Sequence, residues 1–144
     1  MPVTDEQEAT LHAQLAGKLE EHKRLLDALD PVAAGTGYSA LVSAAFTVAV
    51  IDRFPGGTPE ADVIEYVGDV RSRTEGSAKI DPVLAERLIL AVLRDEELGD
   101  INPRTSLQAQ LILLAALTAD AGPDEGELDR FMIRARRLAD RWLA

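Results

Sequence analysis

Three junctions in this chain, Thr58-Pro59, Asp81-Pro82 and Asn102-Pro103, each set a hydrogen-bond acceptor immediately before a proline. Each reads as a helix start. The Thr, Asp or Asn oxygen can accept from an orphan backbone N–H of the first turn, and proline's fixed φ suits the first helical position. Glycines provide the matching stops. Gly56, Gly76, Gly99 and Gly122 follow Phe54, Glu75, Leu98 and Ala121 within two residues, and glycine adopts the left-handed conformation that closes a helix. Near the N-terminus, Thr4-Asp5-Glu6-Gln7 has the pattern of a capping box. This punctuation predicts six helices, at 5–29, 38–54, 59–75, 82–98, 103–121 and 124–143. No segment alternates apolar and polar residues as an edge strand does. The expected class is all-α, a single-domain six-helix bundle over residues 1–144.

The 144 residues are 47% hydrophobic, one domain's worth of chain and enough for a sizeable core. With no cysteine, disulfides, thiolate metal sites and cysteine nucleophiles are excluded. The 25 acidic and 15 basic side chains leave a formal net charge of -10. A nucleic-acid backbone would be repelled on average, so binding there requires a local basic patch. Arginine outnumbers lysine 12 to 3 and alanine is frequent, as coding in a GC-rich bacterium would give. The acidic first residues, 1–7, lack the basic-then-apolar pattern of a secretory signal, so a cytoplasmic protein is expected. Pro31 to Ile51 is uncharged over 21 residues. Pro31, Gly35 and Gly37 are expected to break its first third, and Tyr38 to Ile51 alone is too short to span a bilayer, so no membrane association is expected.

Periodicity divides the helices into two kinds. Leu11, Leu15, Leu19, Leu25, Leu26 and Leu29 form one amphipathic stripe on the first helix. The third is amphipathic through Val63, Tyr66, Val67 and Val70, and the sixth through Leu128, Phe131, Met132, Ala135, Leu138 and Trp142. Trp142 shares the apolar face and is expected to be buried as an anchor for the terminal helix. The second and fifth helices are apolar all round, and the fourth nearly so. Such helices must be central, and three of them ask for more cover than three amphipathic helices supply. A homodimer is therefore expected, with the first helix taking part. At an offset of 65, helices two and three also overlay helices five and six, Tyr66 on Phe131 and Arg71 on Arg136 among others. This suggests two three-helix units related by internal duplication, although any two helical hairpins share these generic signatures.

The most specific polar feature is on the sixth helix, where Arg130, Arg134, Arg137 and Arg141 fall within about 60° of one another, opposite the apolar face. Arginine forks bind carboxylate and phosphate bidentately, so the stripe is the candidate partner-binding surface. A solvated face is the plainer alternative. Four carboxylates, Asp95, Glu96, Glu97 and Asp100, crowd the expected end of the fourth helix, where the macrodipole disfavours them. They lack the alternating ligands of a calcium loop, and could meet the arginine stripe or simply face water.

Catalytic chemistry finds little support. His12 and His22 lie about 15 Å apart along one helix and cannot share a metal. His22 interrupts the leucine stripe and reads as its partly wet edge. Ser39, Ser43 and Thr47 recur every four residues without a neighbouring base, and read as small residues that let another helix approach. No nucleophile elbow, phosphate loop or dinucleotide fingerprint occurs. The expectation is a non-enzymatic helical protein-interaction module with no catalytic residue, metal or cofactor, binding itself and an acidic protein through Arg130, Arg134, Arg137 and Arg141. A ligand- or nucleic-acid-binding regulator using the same stripe is the alternative, with a compact acidic partner favoured over DNA or RNA because of the net charge.

Overall fold

The computed structural model describes residues 2–29, 34–73 and 80–144. Among these it holds seven α-helices and no strand: α1 (Asp5–Leu15), α2 (Leu19–Ala28), α3 (Ser39–Arg53), α4 (Glu60–Arg73), α5 (Pro82–Arg94), α6 (Pro103–Ala121) and α7 (Glu125–Leu143). A π-helical turn, Ala34–Tyr38, runs directly into α3. The expected helix end at Glu75–Gly76 and the expected break at Pro31 lie outside the described residues.

The start signals act much as local chemistry dictates. Thr4 Oγ1 accepts from the Gln7 amide at 3.1 Å and the Gln7 side chain accepts from the Thr4 amide at 2.9 Å, completing the capping box. Asp81 accepts from the Val83 amide, and Asn102 from those of Arg104 and Thr105. Thr58 departs from the pattern, because its hydroxyl donates to the Pro55 carbonyl within the preceding turn. Asp124 and Glu127 form a second capping box.

The first predicted helix is two. Gly17 has φ +77°, and the Lys18 amide donates to the Ala13 carbonyl at 2.9 Å, so the chain closes α1 and turns back. The half-buried His22 ring clasps the resulting hairpin, its Nδ1 donating to the Thr10 carbonyl at 2.7 Å. The fourth predicted helix also stops early, at Arg94 rather than 98. Asp95 takes the left-handed conformation (φ 51°, ψ 49°) and the Glu96 amide donates to the Ala91 carbonyl. The helix thus terminates before the carboxylates that its dipole would oppose.

The central element is α3, apolar all round as expected, with Leu41, Val42 and Val50 fully buried. It packs against α7 and α6, and touches α1 and α5. Ala135 and Ala139 of α7 are fully buried, and side chains this small let neighbouring helices approach closely. Ser43 and Thr47 border a cleft with Leu88 and Ala91 of α5, while the Thr47 hydroxyl donates back to the Ser43 carbonyl. The π turn overturns the expected break at Gly35 and Gly37, since it carries the helix through both. By length and composition, Gly35–Arg53 could cross a membrane, and 56% of it is buried inside the protein.

Trp142 is not the buried anchor its wheel position suggests, being 51% exposed. The buried stripe of α7 is Leu128, Met132, Ala135 and Ala139; Trp142 lies to one side of it, and in the last turn Leu143 is the side chain that packs against the core.

Candidate functional site

The five arginines of α7 divide between two sides of the helix. Arg136, which the sequence reading did not single out, turns toward the N-terminus. Its Nη1 pairs with Asp5 at 2.7 Å and Glu8 at 2.6 Å, and its Nη2 donates to the Val3 carbonyl at 2.7 Å. The Val3 amide in turn donates to Asp140 at 2.7 Å. These bonds fasten the buried Val3 and α1 to the far end of the chain. Their only sequence signal was charge complementarity across more than a hundred residues, which no local pattern encodes.

The predicted stripe occupies the other side, and Arg130, Arg134, Arg137 and Arg141 are all exposed. Arg134 grips Asp52 of α3 through two parallel bonds of 2.8 and 2.9 Å. Among the described residues, Arg130, Arg137 and Arg141 have no carboxylate within ion-pair distance. None of the four meets Asp95, Glu96, Glu97 or Asp100, and those acids are exposed at the end of α5.

Beside the stripe, α3, α6 and α7 enclose a cleft of about 610 Å³. Ala49, Leu117, Leu128 and Phe131 give it apolar walls, and Arg53, Arg130 and Arg134 contribute cations. Arg53 is held by stacking, its guanidinium 4.9 Å from the Phe54 ring centre and 5.1 Å from that of Tyr66. Those two rings meet edge to face at 5.4 Å. Asp120, also on the cleft, is engaged from behind. Arg73 forks onto it at 2.8 and 2.6 Å and the Tyr66 hydroxyl donates to it at 3.1 Å. Its carboxyl is held below the usual range, chiefly by the Arg73 hydrogen bonds, while burial, reinforced by the Asp120 charge, raises the Tyr66 phenol. The sequence offered no hint of this cleft, because its lining brings α3 together with α6 and α7, which lie far from it in the chain.

The histidines stay apart, His12 pairing with Asp129 at 3.1 Å and His22 clasping the hairpin. Among the described residues no group of three or more His, Asp or Glu side chains is placed to hold a metal. Comparison with family models, curated proteins and solved structures finds no match to this chain.

Proposed function

We propose that this chain is a non-enzymatic interaction module, cytoplasmic and dimeric, which takes an acidic protein partner on the outer face of α7. The observation that supports this reading is the set of three exposed guanidiniums, Arg130, Arg137 and Arg141, without an ion-pair partner among the described residues. Arg137 and Arg141 sit on the C-terminal half of α7, where a carboxylate-rich surface would meet their guanidinium forks. The net charge of -10 opposes a long polyanion more than a compact acidic patch.

Reversal of Arg137 and Arg141 to Glu tests the reading. Partner recovered by co-purification from the native cell should be lost, while the fold keeps its stability within about 0.5 kcal/mol. Recovery that survives the double reversal moves the binding face elsewhere. A gel shift on duplex DNA or RNA that weakens steeply with salt would favour a nucleic-acid regulator.

The dimer reading rests on α2, a strongly amphipathic helix with no buried residue, whose Leu19 and Leu26 are 66% and 42% exposed. Light scattering at micromolar concentration should give twice the 15.5 kDa chain mass, and a monomer mass excludes it. The two-unit reading, with 38–75 repeated at 103–143, belongs with these proposals. Backbone superposition of α3 and α4 on α6 and α7 with a matching interhelical angle would support it.

A further inference from the structure

We infer that the cleft between α3, α6 and α7 is a binding site for a small monocarboxylic acid with an apolar body. The inference is independent of the partner face, although Arg130 borders both. At about 610 Å³ the cleft has the size of a small-molecule site. Leu117, Leu128 and Phe131 would remove a hydrocarbon body from water, gaining affinity in proportion to the area covered.

Charge bookkeeping on its wall indicates the head group. Asp52 is neutralised by Arg134, and Asp120 by Arg73. The Glu127 carboxylate accepts from the Asp124 amide in the capping box, with no ion-pair partner among the described residues. Arg53 and Arg130 remain, neither with a carboxylate in ion-pair reach among the described residues. These two guanidiniums can fork a carboxylate, while the carboxylates of Glu127 on the wall and of Asp124 beside Arg130 disfavour a dianionic phosphate. Arg53 is already ordered by its contacts with Phe54 and Tyr66, so less rotamer freedom is lost when it takes an anion.

Isothermal titration with sodium decanoate, below the concentration at which it forms micelles, tests the site on the intact protein. Binding at one molecule per chain is expected, with decanol at least about tenfold weaker because it lacks the charge. Arg130→Gln and Arg53→Gln should each weaken decanoate by about tenfold or more, and Arg137→Glu, outside the cleft, should leave it unchanged. Circular dichroism checks that each variant is folded; if Arg53→Gln loses helix, Arg130→Gln decides alone. No decanoate binding, equal binding by Arg130→Gln, decanol as tight as decanoate, or decyl phosphate tighter than decanoate would each overturn the assignment. Loss of the acidic partner in the Arg137 and Arg141 reversals with decanoate binding intact, or the converse, separates failure of one reading from failure of the other.

Discussion

Asp120 carries more interactions than any other carboxylate facing the cleft, and its replacement has a signed pH signature. Its folded pKa is depressed, first by the Arg73 hydrogen bonds. The stability it contributes is therefore complete above the unfolded value of about 3.9 and is lost as pH falls through the lower folded value. Asp120→Asn should cost about 1 kcal/mol at neutral pH after allowance for solvent screening. That difference should shrink in urea melts taken progressively below pH 4, and a constant difference across the range would remove the ion pair from the account. Trp142 offers a second single-residue test because it is the chain's one tryptophan. Half exposed, it should emit near the wavelength of solvated indole, and Trp142→Ala should cost about 1 kcal/mol or less, against about 3 or more for a core aromatic. A blue-shifted native spectrum would contradict that placement.

At the scale of elements, the π turn Ala34–Tyr38 joins the core helix to the start of α1 through one close contact. A Cβ on Gly37 would lie 2.7 Å from both the Nε2 and Oε1 atoms of Gln7, whereas one on Gly35 would meet nothing within 4 Å. Gln7 is the returning arm of the α1 capping box. Gly37→Ala should therefore dislodge it, costing about 1 to 2 kcal/mol. Gly35→Ala should be neutral or slightly stabilising, as glycine is a poor helix former. Thermal melts of the two variants side by side provide the measurement, and equal melting temperatures would show that the turn yields freely. The break at Gly17 illustrates a competing rule: leucines of one stripe lie on both sides of it, Leu11 and Leu15 before and Leu19 after, yet a left-handed glycine decides where the chain turns.

For the whole molecule, the two ends of the chain hold each other. Val3 is buried at 1% exposure, its backbone bonded on one side to Asp140 and on the other to Arg136. Arg136→Ala should remove the pairs to Asp5 and Glu8 and leave the Val3 carbonyl without its donor, at a cost of about 1 to 2 kcal/mol. Amide hydrogen exchange should show the loss concentrated in α1 and the last turns of α7, as expected if the terminal segments open before the core. Uniform loss of protection through α3 and α6 would mean instead that the ends and the core unfold as one unit.

The all-helical class, most helix starts and the central place of α3 were legible in the sequence. Each rests on interactions within one turn: Thr4 with Gln7, Asp81 with Val83, Asn102 with Arg104, and the 3.6-residue recurrence of apolar side chains. The arginine stripe was legible for the same reason, as spacing along one helix. Tertiary structure alone decided that Arg134 would be tied to Asp52, 82 residues away, that Arg136 would meet Asp5 across 131, and that Leu143 rather than Trp142 would pack against the core in the last turn. It also decided that Arg53, Leu117 and Arg130 would share one cleft. Helix periodicity says which side of a helix is apolar, whereas which neighbour covers that side, and for how many turns, depends on how separate helices pack in space.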